Sequence, residues 1–156
     1  MKRFLFLLAS VALTPVAGQA VAADNPFAAR STLPFEAPPF DRITDADYQP
    51  GFEQGMAEQL ADMRKIAANP AAPTFDNTIV AMERSGAVLR RVSAAFGAVN
   101  QADTNPARQA VQKAEAPRLA ANNDAIYLDP ALFARVQTLY QPVSYTHLTL
   151  PTNREV

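Results

Sequence analysis

The sequence predicts an all-α protein, with an extended N-terminal arm followed by about four helices. Two observations support this fold class. Apolar residues recur every three or four positions through most of residues 45–142, as on one face of a helix. Asn-Pro and Asp-Pro pairs also stand where two of these periodic segments begin, which is a common pattern at helix N-termini. Residues typical of strands cluster only after residue 142.

Residues 23–44 predict the extended arm. Four prolines between residues 26 and 39 exclude a regular helix here. Three aromatic side chains, Phe27, Phe35 and Phe40, need a surface to pack on, and a disordered linker rarely carries so many. We therefore expect the arm to lie along the surface of a larger body.

The first helix is predicted to start at Asp45 or Asp47, either of which can cap it, with Pro50 in its first turn. Asn69 and Pro70 end it. Its apolar face consists of Phe52, Met56, Leu60, Met63 and Ile66.

The second helix is predicted to run from Thr74, its N-cap, to about Asn100. A heptad-like seam follows it, made of Phe75, Ile79, Met82, Gly86, Leu89, Ser93 and Phe96. Because glycine inside a helix costs about 1 kcal/mol relative to alanine, the small residues Gly86 and Ser93 are expected to let a neighbouring helix approach closely.

Two further helices follow. Asn105 and Pro106 begin the third, which is expected to reach about Asn122 with a bend at Pro117. Asp129 begins the fourth. Its predicted apolar face is Leu132, Phe133, Val136, Leu139 and Tyr140.

The N-terminus, residues 1–22, predicts a secretory signal peptide. A basic start, an apolar run and a small-x-small sequence place the cleavage between Ala22 and Ala23, or one residue later. The apolar run is shorter than the about 20 residues that span a bilayer. We therefore expect a periplasmic or secreted protein with no membrane association after cleavage.

The C-terminal residues 143–156 differ in character from the rest and resemble the conceptual translation of a sequencing adapter. We expect them to be an artefact, and the alternative is a genuine strand-forming tail. The only histidine, His147, lies in this tail, and the chain has no cysteine. The segment before the tail therefore lacks the usual zinc ligands, and no metal site is predicted in it.

Composition excludes other classes of site. The formal net charge is −1, without the basic patch that nucleic-acid binding requires. The carboxylates of Asp45 and Asp47 at a helix cap are expected to be solvated, and Ser85 has no base placed to activate it. Arg90 and Arg91 are expected to be solvated or ion-paired, or else to contact an acidic partner. No catalytic residue is predicted in this chain.

Three segments are informative through their order and spacing: Ser31–Ile43, Asp47–Gln59 and Ala125–Val136. Together with residues 73–86 they resemble the N-terminal region of the thimet oligopeptidase-like zinc metallopeptidases, especially their bacterial peptidyl-dipeptidase branch. The most informative is residues 73–86, here called the signature segment. Its matching residues are Pro73, Thr74, Phe75, Asp76, Asn77, Thr78, Ile79, Glu83, Arg84, Ser85 and Gly86.

The resemblance implies a helical wall of a larger enzyme with a deep substrate channel. Members of the family bind zinc through a His-Glu-x-x-His helix much further along, and the branch removes C-terminal dipeptides from oligopeptides. Residues 45–142 would then be part of the N-terminal helical domain of a truncated enzyme, inactive alone and without bound zinc. The alternative is a genuine small helical periplasmic module that binds peptides or inhibits a peptidase.

Overall fold

Helix α1, Asp45–Ala67, is the central element, because the later helices α3, α4 and α5 all pack against it. The computed structural model describes residues 25–144, with side chains through Gln141. The other elements are a π-helix Phe75–Val80, α2 Ala81–Arg84, α3 Ala87–Ala102, α4 Pro106–Tyr127 and α5 Pro130–Ser144. A short 3-10 turn lies at Pro34–Glu36. Residues 25–144 contain no strand, so the predicted all-α class is confirmed.

The start of α1 differs from the prediction. Thr44, not Asp45 or Asp47, is the N-cap residue. The Asp47 carboxylate accepts hydrogen bonds from the Thr44 backbone N–H (2.7 Å) and hydroxyl (2.8 Å), which completes a capping box. Since the helix starts at Asp45, Pro50 lies inside it rather than in its first turn.

The core forms two clusters along α1, and the predicted apolar face of α1 lines both. Near its start, Tyr48, Phe52 and Met56 pack with residues of α3 and with Val111 of α4. The rings of Tyr48 and Phe52 meet that of Phe96 edge to face, with centroids 5.1 and 5.5 Å apart. Near its end, Met63 and Ile66 pack with Ile126 and Leu132.

The arm attaches to this same helical body through one of its three phenylalanines. Phe27 is 2% exposed and stacks on Tyr48, with ring centroids 5.8 Å apart. Arg91 of α3 donates hydrogen bonds of 2.7 Å to the carbonyls of Phe27 and Ala28. Phe35 is fully exposed and Phe40 about half exposed, so within the described residues Phe27 alone of the three is buried.

The predicted second helix is interrupted. It begins at the Thr74 cap as expected, but its first part is a π-helix, followed by the single turn α2. The helix is then interrupted at Ser85 and Gly86, where Gly86 adopts a left-handed conformation with φ of 65°. Gly86 is therefore not in the middle of a helix. It lies at a helix break before α3, where the backbone requires a positive φ that glycine adopts readily.

Beyond this break the predicted seam is correct in part: Phe96 is buried and Leu89 packs against the same cluster, whereas Ser93 is exposed. The buried face of α3 also carries Val88, Val92 and Ala95, which are not seam residues. Before the break, the seam residue Phe75 is 65% exposed. The close helix approach occurs instead at Gly55 of α1. A Cβ atom there would lie 2.7 Å from the backbone of Leu89. The approach of the α1 and α3 backbones thus depends on Gly55 of α1 and not on Ser93.

Both predicted Asx-Pro helix starts are present. The Asn105 side chain accepts a hydrogen bond from the Arg108 backbone N–H (2.8 Å), and Asp129 accepts from the Leu132 backbone N–H (2.9 Å). α4 continues past Pro117 to Tyr127, beyond the expected end, because Ile126 still packs on α1. On α5, Leu132 is buried, but Phe133 and Tyr140 are 60% and 67% exposed.

The predicted signal peptide and the predicted C-terminal artefact lie largely outside the residues that the structure describes. The cleavage residues Ala22 and Ala23 and residues 145–156 fall outside them, and α5 extends two residues past position 142. Among the described residues, no helix combines the length and apolarity needed to cross a membrane.

Candidate functional site: the signature segment

The N-terminal half of the signature segment is organised by Asn77. The Thr74 hydroxyl accepts a hydrogen bond from the Asn77 backbone N–H (3.1 Å), and the Asn77 side-chain oxygen accepts one from the Thr74 backbone N–H (2.9 Å). The Asn77 amide group also donates to the Ala72 carbonyl at 2.9 Å. One side chain therefore fixes both the entering loop and the first turn of the π-helix.

Arg135 of α5 holds this segment from the other side. Its guanidinium group donates to the carbonyls of Asn69 (2.7 Å) and Ala71 (3.1 Å) and to the side-chain oxygen of Asn77 (2.9 Å). Arg135 is only 7% exposed. Its charge disguises this role in the sequence, although its position three residues after Leu132 places it on the buried face of α5.

The C-terminal half of the segment packs against α1. The Ser85 hydroxyl donates to the Met82 carbonyl at 2.7 Å. At Gly86, a Cβ atom would lie 2.8 Å from the side-chain nitrogen of Gln59, so glycine makes room for that side chain. Gln59 in turn accepts a 2.8 Å hydrogen bond from Asn122 of α4. The break thus lies where α1 and α4 meet.

The signature residues do not converge on one cleft. Thr78, Ser85 and Gly86 are buried, whereas Pro73, Asn77 and Ile79 are half-buried. The exposed members are Thr74, Phe75, Asp76, Glu83 and Arg84. Their contacts set the course of the backbone. The arrangement therefore indicates a structural role for the segment.

Asp45, expected to be solvated, instead joins the starts of α1 and α4. Its carboxylate accepts hydrogen bonds of 2.7 Å from the Asn105 amide and from the Arg108 guanidinium. The Asn105 hydrogen bond, with that of Arg108 next, lowers the pKa of Asp45 below its ordinary value. Nearby, burial raises the pKa of Tyr48.

A second ionic group links α1 to α4. Glu115 is 1% exposed and accepts a 3.1 Å hydrogen bond from Arg118, which also pairs with Glu53 of α1. The Arg118 hydrogen bond lowers the pKa of Glu53. The second carboxylate oxygen of Glu115 has no hydrogen-bond partner. Glu115 is not among the residues predicted to be functional from the sequence.

The described residues do not fit a zinc site. In the part of the chain that the structure covers, no group of three or more His, Cys, Asp or Glu side chains is placed to hold a metal ion. The carboxylates of Asp45 and Glu115 are engaged by arginines, and Ser85 donates to a backbone carbonyl.

Comparison with known proteins gives two closely similar relatives. No family model matches the chain. The chain is 44% identical over 117 residues to the dipeptidyl carboxypeptidase of Salmonella typhimurium strain LT2, and equally to that of Escherichia coli strain K12. The match covers 75% of this chain but only 17% of each relative. The predicted resemblance to this kind of peptidase is therefore confirmed, over a small part of the relatives' length.

Proposed function

The chain carries a segment of a dipeptidyl carboxypeptidase-like protein, and on that premise we propose that it forms part of the helical wall of a secreted, zinc-dependent peptidyl-dipeptidase. The observation that carries the proposal is the 44% identity over 117 residues. The structural role of the signature segment agrees with it. Asn77 and Arg135 determine where the backbone lies and bring no reactive groups together.

In this proposal, zinc and the groups that activate water belong to a part of the enzyme beyond this chain. His147 is its only histidine, and it has no cysteine. The substrates of the enzyme are oligopeptides, from which it releases C-terminal dipeptides. Alone, this chain should neither bind zinc nor cleave peptides.

A chimera tests the proposal. Residues 25–141 of this chain replace the matched segment in the Escherichia coli relative, and release of a dipeptide from a blocked oligopeptide is measured. We expect the chimera to keep activity within about tenfold of its parent, because the helical scaffold is supplied by homologous residues. A folded chimera without activity would contradict the proposal. Zinc-dependent cleavage by the isolated chain would contradict the claim that its catalytic groups lie elsewhere.

The secreted location is tested separately. Residues 1–30, fused to a reporter enzyme that is active only after export, should give activity outside the cytoplasm and a processed N-terminus at Ala23 or Asp24. A fusion that stays inactive and uncleaved would contradict export and leave the peptidase proposal intact.

A further inference from the structure

A cavity of about 300 Å³ lies between the arm and α3. Its apolar walls come from the arm and from the exposed side of α3, and include Pro26, Pro38, Pro39, Ala87 and Ala94. Ligand cavities of proteins typically begin at about this size, which is enough for one compact organic molecule.

The charged groups of this cavity are unbalanced. Three guanidinium groups, those of Arg30, Arg90 and Arg91, line it with a single carboxylate, that of Glu36. Glu36 pairs with Arg30 at 2.9 Å. Arg90 donates to the carbonyl of Ser85 and Arg91 to carbonyls of the arm, and a neutral carbonyl does not cancel a positive charge. None of the ion pairs among the described residues involves Arg90 or Arg91.

We propose that this cavity binds an organic carboxylate with a small apolar body. A guanidinium group suits a planar carboxylate because it can donate two parallel hydrogen bonds. The proline and alanine walls suit the apolar body, as in most small-molecule sites. A free acid and the C-terminal residue of a peptide share this chemistry. The inference depends on the cavity alone and not on the proposed function.

The direct test titrates the full chain with N-acetyl-leucine and with its neutral amide, N-acetyl-leucinamide, and records binding by calorimetry. We expect the acid to bind at least about tenfold more tightly, since a charge-assisted pair is roughly twice as strong as a neutral hydrogen bond. Equal affinity for the two compounds, or no binding of either, would overturn the proposal. A third ligand, N-acetyl-Ala-Ala-Leu, distinguishes the two sources of the carboxylate. If it binds more tightly than N-acetyl-leucine, the site is assigned to peptide C-termini. If the two bind equally, the site is assigned to free acids.

Three variants locate the site. Arg90→Gln should weaken binding of N-acetyl-leucine by about tenfold, whereas Arg64→Gln, the same change on the exposed surface of α1, should leave it unaltered. Because Arg90 also holds the Ser85 carbonyl, its loss could disturb α3. Glu36→Gln avoids this difficulty. It removes the only carboxylate of the cavity and should strengthen binding by about threefold; unchanged or weaker binding in this variant would contradict the proposal.

Discussion

Gly86 and Gly97 lie in the same region of the chain, but the structure requires glycine at position 86 and not at position 97. Gly86 has φ of 65°, and a Cβ atom would come within 2.8 Å of Gln59. Gly97 lies inside α3 with nothing within 4 Å of such an atom. Gly86→Ala should therefore destabilise the fold by about 1–2 kcal/mol, and Gly97→Ala should stabilise it by about 0.5–1 kcal/mol. Urea unfolding measures both; effects of the same sign would contradict this reading of the break.

Arg135 is the second residue whose substitution should be costly. In Arg135→Met the carbonyls of Asn69 and Ala71 and the side chain of Asn77 lose a charged donor. We expect a loss of about 2–4 kcal/mol in the free energy of unfolding. The matched change Arg64→Met on the exposed face of α1 should stay within about 0.5 kcal/mol. A loss from Arg135→Met as small as that of the control would show that the contacts contribute little.

The burial of Arg135 and Glu115 does not follow from the apolar residues alone, although its spacing from Leu132 places Arg135 on the buried face of α5. A hydrophobic pattern treats a charged residue as a mark of the solvent face, yet both side chains are almost fully buried. Arg135 donates to Asn69, 66 positions earlier, and Arg118, the partner of Glu115, pairs with Glu53, 65 positions earlier. Only the packing of α4 and α5 on α1 brings these groups together.

At the scale of elements, local signals predicted helix starts better than helix continuity. The Asx-Pro pairs and the Thr74 cap are present because each acts through its nearest neighbours. The break at Gly86 was missed because the apolar spacing continues across it. Gly55 allows the backbones of α1 and α3 to approach at Leu89, whereas Gly86 ends the helix and leaves room for the Gln59 side chain.

The junction of α1 and α4 should make stability depend on pH. The pKa of Asp45 is lowered in the folded state, so its contribution is present above its ordinary value of 3.8 and is lost as the pH falls through the folded-state pKa. Asp45→Asn should therefore be less stable than the native chain at pH 6. The difference should shrink below pH 3.8, as followed by urea unfolding over that range. A difference that is independent of pH would contradict the ionic role of Asp45.

At the scale of the molecule, apolar side chains remain uncovered. Tyr127 and Leu128 at the end of α4 are 75% and 78% exposed, and Phe133 and Tyr140 lie seven residues apart on one face of α5. Phe75 is 65% exposed. Exposed apolar surface of this kind favours association when it is contiguous.

We accordingly expect the purified chain to associate reversibly. Light scattering over a range of concentrations should show a rising mean mass. The double variant Phe133→Ser/Tyr140→Ser should reduce that rise, whereas Phe35→Ser, a change on the arm, should not. A chain that stays monomeric at every concentration, or an equal effect of the two variants, would contradict this role for α5.

Several polar contacts join residues that are far apart in the sequence, and this separation affects how early the protein can fold. Five of them join residues 63 to 66 positions apart: Phe27 with Arg91, Asp45 with Arg108, Gln59 with Asn122, Glu53 with Arg118 and Asn69 with Arg135. A ribosome adds about 5–20 residues per second. The earlier residue of each pair must therefore wait about 3–13 s for its partner to be synthesised. During that interval α1 emerges with its apolar face bare, and the nascent chain offers chaperones a long-lived binding site.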